Sequence, residues 1–79
     1  MSMGMPKEDF LQGMYLVAKD YGFEFLDECP DITFVALESE IYNCLMEHDD
    51  YKRYYRAADV RARRAAERVW HVTQSRRQP

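Results

Sequence analysis

Glycine and proline are scarce in this chain: three of each in 79 residues, and neither between Asp31 and Gln78. Turn-rich β folds need such residues at short intervals, so a stretch of that length without them reads as helix. Cysteine is scarcer still. Cys29 and Cys44 can close one bridge at most, which excludes a disulfide framework. Apolar runs are short, and none approaches the roughly 18 residues of a membrane-spanning helix. The N-terminal "MSMGMPKED" has no basic n-region and no apolar h-region, so no secretory signal is read there. The expectation is a cytoplasmic protein with reduced thiols and no membrane contact.

Catalytic signatures are missing as well. There is no Gly-rich phosphate loop, no nucleophile elbow and no kinase signature. Glu38 and Glu40 diverge on a helix, so they make no acid–base pair. Cys44 and His48 stand at i, i+4 and, with Cys29 and His71, make up the four types of a Cys2His2 set. They lack the CxxC and HxxxH spacing of structural zinc sites, and both lie on an apolar stripe. A buried thiol and a core histidine explain them better than zinc. The sequence therefore predicts no enzyme, no metal and no cofactor.

What is present is apolar residues and charge. Hydrophobic residues make up 47% and aromatics 14%, too much for a disordered chain. The length fits one domain, read as a single helical domain over 1–79 with loose termini at 1–5 and 74–79. A domain this small buries only about 60% of its unfolded surface, so a partner or a second copy gains weight.

Pro6, Glu8 and Asp9 mark a helix start. Phe10, Met14, Val17 and Tyr21 then recur at helical spacing, and Gly22 suits a C-terminal cap. Helix 6–21 follows, with 23–31 as connector. Gly13 inside that helix reads either as a close crossing or as a surface glycine. Beyond Asp31 one stripe keeps a 3-4 step: Phe34, Leu37, Ile41, Cys44, His48, Tyr51, Tyr55, Ala58, Ala62, Ala65, Val69 and Val72. It fits one continuous helix of roughly 45 residues, or two helices broken at "EHDD" (47–50) with Asp49 or Asp50 as cap. The break is favoured, since adjacent aspartates are poor helix-interior residues. The predicted class is all-α: a small three-helix bundle or helical hairpin with a long C-terminal amphipathic helix. A homodimer through the 34–72 seam is an accompanying option. The alternative is α+β, with a hairpin at 23–37 pairing "FEFL" with "ITFVAL".

Charge is divided between the halves. Residues 1–50 hold twelve acids against two lysines, and residues 51–79 nine bases against two acids, giving −10 and +7 in an overall −3. On a helical wheel Arg53, Arg56, Arg61, Arg63, Arg64 and Arg68 form a broad basic face around an alanine seam. Trp70 lies at its edge, as a half-buried core residue or an anchor of the type enriched at binding hot spots. This face reads as a solvated surface partly paired with the acids, as a dock for an acidic protein, or as a nucleic-acid contact. The pI of about 5.3 and the lack of a base-reading module weigh against the last. The acidic set is Glu24, Asp27, Glu28, Asp31, Glu38, Glu40, Glu47, Asp49 and Asp50. It reads as a solubilising surface, or as an imitation of a phosphate backbone that enters another protein's basic channel.

"KEDFL" (7–11) and "YYRAADVR" (54–61) resemble segments of the Hha/YmoA family, small helical modulators that bind nucleoid-associated proteins. The match rests on Lys7, Asp9, Phe10, Leu11, Tyr55, Ala57, Ala58, Asp59 and Arg61, at wider separation than in that family. It is not adopted as an identity. The favoured reading is a non-enzymatic regulator or inhibitor that binds another protein or protein complex through charged surfaces. In type it is like the accessory proteins of phages and mobile elements, anti-CRISPR proteins among them. The alternative is a nucleic-acid-binding or nucleoid-associated regulator using the arginine face.

Overall fold

The structure is a computed structural model that describes residues 7–77. The Pro6 start signal and the loose segment expected at 1–5 lie outside those residues. Four helices follow in order: α1 Lys7–Glu28, α2 Phe34–Met46, α3 Asp49–Lys52 and α4 Tyr55–Arg77. The three long ones form an all-α bundle, about 54 × 20 × 18 Å. Among the described residues there is no strand, so the hairpin alternative at 23–37 is not adopted by the chain.

α1 carries Glu8 and Asp9 in its first turn, where they meet the positive end of the helix dipole. It buries Met14, Ala18, Gly22 and Leu26, one residue every fourth. That stripe continues past Gly22, so α1 runs on to Glu28 and the connector shrinks to 29–33. Pro30 supplies the stop, because it disfavours helical geometry in the residue before it. α2 then starts at the Thr33 cap, whose hydroxyl accepts from the Ala36 N–H at 3.2 Å.

Of the two readings of Gly13 the surface one holds, and Gly22 lies inside α1 and does not cap it. A Cβ on Gly13 would meet nothing within 4 Å. A Cβ on Gly22 would meet Ile41 Cδ1 at 2.9 Å and Val69 Cγ2 at 3.0 Å. Gly22 is therefore the point where α1 approaches both other helices. Gly13→Ala should raise stability by about 1 kcal/mol through helix propensity alone. Gly22→Ala gains the same propensity but overfills the crossing, at about 1–3 kcal/mol. Thermal unfolding followed by circular dichroism should show Tm rising for the first variant and falling for the second. Equal rises would mean that α1 does not approach its neighbours at Gly22.

α2 buries Leu37, Ile41 and Leu45. The chain breaks where "EHDD" suggested, in a different manner. His48 takes an extended conformation (φ −86°, ψ 118°) at the N-cap of α3, with no side-chain cap bond. Asp49 and Asp50 are the first residues of that single turn, and neither caps the long helix, which begins at Tyr55. The reversal also breaks the uniform 3-4 seam. Leu45 replaces Cys44 in the core, His48 is exposed, and Tyr55 is 54% exposed. α4 buries Ala58, Ala62, Ala65, Ala66 and Val69. It continues to Arg77, so residues 74–77 are helical and not part of a loose tail.

α1 and α4 run parallel, with α2 antiparallel between them in sequence. The Arg61 side chain reaches the Leu11 carbonyl near one end, and Arg77 reaches the Pro30 carbonyl at the other. α1 thus covers the stripe that the sequence offered as a dimer face. Leu37, Ile41, Ala58, Ala62, Ala65 and Val69 are wholly buried within one chain. Those six residues of the 34–72 seam belong to the monomer's own core, whereas His48 and Tyr55 of the same seam are exposed.

Candidate contact surfaces

Alanine sets the placement of the basic face. The buried alanines and Val69 fix one side of α4 against α1 and α2, and helical periodicity then turns the arginines outward. Arg53, Arg56, Arg63, Arg64 and Arg68 are exposed, and Arg61 is partly buried. Arg61 Nε donates to the Leu11 carbonyl at 3.4 Å. Trp70 is half-buried and meets Phe34 edge-on, with centroids 5.8 Å apart. Its ring belongs to the packing between α2 and α4.

Pairing between the charged halves is sparse. Among the described residues two ion pairs form. Lys52–Asp49 at 3.2 Å is local to α3, and Arg63–Glu38 at 3.8 Å joins α4 to α2. Exposed pairs of this kind contribute about 0–1 kcal/mol. Among the described residues Arg53, Arg56, Arg64 and Arg68 have no carboxylate partner.

The acids form no single patch. Glu28, Glu40 and Glu47 stand near Tyr21 on the α1/α2 side. Burial raises the Tyr21 phenol above its ordinary range, and the field of Glu40, Cys44, Glu47 and Glu28 adds to it. Burial, then Glu47, raises the Cys44 thiol. Glu24 and Asp27 open on the other side, in a recess shared with Arg76 and Arg77. Asp31 is exposed in the connector, Glu38 is held by Arg63, and Asp49 and Asp50 sit at the α3 turn. Both cysteines are free. No group of three His, Cys, Asp or Glu among the described residues could hold a metal ion. No described helix is long and apolar enough to cross a membrane.

The α1/α4 seam holds residues that the sequence reading passed over. Lys7, Leu11, Tyr15, Lys19 and Phe23 repeat every fourth residue, which makes one ridge along α1. Three recesses open in order beside it. The first, about 290 Å³, lies between Lys7 and Leu11 and the segment Arg53–Ala57. The second, about 230 Å³, is lined by Gln12, Tyr15, Arg61 and Arg64. The third, about 500 Å³, lies between Phe23 and Leu26 of α1 and Thr73 and Arg76 of α4. Cations stand over three rings on this side: Lys19 over Tyr15 at 5.8 Å, Arg56 over Tyr55 at 5.8 Å, and Arg76 over Phe23 at 5.7 Å. The signal available in the sequence was the four-residue step, which carries both lysines of the acidic half.

No family model, curated protein or solved structure matches this chain.

Proposed function

We propose that the protein is a non-enzymatic binding module, a small regulator or inhibitor that docks on an acidic surface of another protein through the arginines of α4 and Arg53 just before it. One observation carries this reading: Arg53, Arg56, Arg64 and Arg68 are exposed without carboxylate partners among the described residues, in a chain that contains fourteen acids. Arginine's planar fork suits bidentate capture of carboxylates. Complementary charge of this kind speeds encounter and fixes register.

Nucleic acid on the same face is the second reading, and the placement of the acids favours it in part. Glu28, Glu40 and Glu47 lie toward α1/α2, across a bundle 20 × 18 Å in section. Exposed charges more than about 8 Å apart are largely screened at physiological ionic strength, so acids on the α1/α2 side weigh little against a polyanion on α4. Affinity capture from a lysate of the source cells, with and without nuclease, separates the two. A stoichiometric protein complex that survives nuclease is expected. Recovery of nucleic acid alone, with affinity falling steeply with salt, would replace the protein reading by the second one.

A further inference from the structure

We infer that the contact surface extends from α4 into the α1/α4 seam, and that its occupant is an acidic amphipathic helix of the partner protein. This inference rests on the protein-docking reading above and deepens it.

Two features of the seam select the occupant. The first is charge: Lys7 and Lys19 from α1 face the same seam as Arg61 and Arg64 from α4. The second is a small, largely apolar recess at Leu11 followed by a polar one lined by Gln12, Tyr15, Arg61 and Arg64. The first two recesses lie below the range of about 300–1,000 Å³ typical of small-molecule pockets, a size that suits single side chains. They open at Leu11 and Tyr15, one helical turn apart. A docked helix presents side chains at the same interval, i and i+4, so an apolar anchor fits the first recess and an acidic one the second, in the manner of other helix-in-groove sites. The ridge from Lys7 to Lys19 is about 18 Å long at 1.5 Å per residue, which matches a helix of about three turns and stops short of Glu24 and Asp27 in the third recess. Carboxylates flanking those anchors would meet the lysines and arginines on either side.

The rings argue against nucleic acid in this seam. Tyr15 and Phe23 pack toward the core, and each has a cation over it. A stacking base would have to displace that cation. The Arg61 Nε is likewise engaged on the Leu11 carbonyl.

The test is fluorescence anisotropy on the full chain at physiological salt. Its probes are a labelled Glu/Leu peptide of about 18 residues with leucines at i, i+4, i+7 and i+11, a scramble of the same composition, and an oligo-dT strand. The ordered peptide is expected to bind roughly tenfold or more tighter than the scramble or the strand. The double variant Lys7→Glu/Lys19→Glu should weaken it by roughly tenfold, and Arg63→Glu, on the α2 edge, should change it little. Equal binding of the scramble, tighter binding of the strand, or no binding of the peptide overturns the inference. Peptide binding that depends on Arg68→Glu but not on the lysines overturns the seam and leaves the α4 docking reading standing. Binding indifferent to every basic variant overturns both. Circular dichroism of each variant confirms that the fold is intact.

Discussion

Ile41→Ala is expected to remove about 2–5 kcal/mol of stability, a large part of what a chain of this length has. At about 0.05–0.15 kcal/mol per residue the whole domain holds roughly 4–12 kcal/mol. Ile41 is wholly buried and sits where all three long helices meet, against the bare backbone of Gly22. Five of the eleven core residues are alanine, so the large side chains are few and each fills much of the interior. A cavity at Ile41 is poorly placed to collapse. Gly22 has no side chain to move in, and Val69 is already in contact. Urea unfolding should show a lower midpoint with an unchanged m-value. Val35→Ala, at a position 73% exposed, should stay within about 0.5 kcal/mol of the parent. A cost below about 1 kcal/mol for Ile41→Ala would contradict its place at the three-helix crossing.

That crossing also marks how far the sequence could be read. Helical class was legible because the apolar period is helical and turn residues are missing after Asp31. The alanine stripe of α4 was legible for the same reason, and so was a break near Asp49. Gly22 was misread because a glycine at the end of a periodic run has two meanings, cap or close approach. Only the neighbouring helices decide between them, and Ile41 and Val69 lie far away in sequence. The uniform seam through Cys44 and His48 failed at a similar point. Periodicity carries across a chain reversal on paper, but the reversal resets which face meets the core. The charge division between halves was plain from composition. Its lack of pairing was not, because pairing depends on how α1 and α2 are rotated about their own axes. The Lys7–Phe23 ridge was countable, yet it gains meaning only beside the arginines of a helix more than forty residues away.

The largest functional effect is expected from reversing Arg56, Arg64 and Arg68 together to glutamate. Each reversal changes the net charge by two, so the formal −3 becomes −9. None of the three has a carboxylate partner to lose among the described residues, and all are exposed. Stability should therefore move by no more than about 0.5 kcal/mol per site. Partner capture should fall by roughly a hundredfold or more, because like charge set against like charge costs several kcal/mol across an interface. The size of that loss should shrink as salt is added, since exposed charges are screened beyond about a Debye length. Reversal of Glu24 and Asp27 to lysine is the matched control. They lie in the third recess with Arg76 and Arg77, away from the three arginines along the rod. If the acid reversal abolishes capture and the arginine reversal does not, the contact belongs to the acidic surface. If capture survives both, charge is not what the partner reads, and the exposed arginines serve only to keep the alanine helix in water.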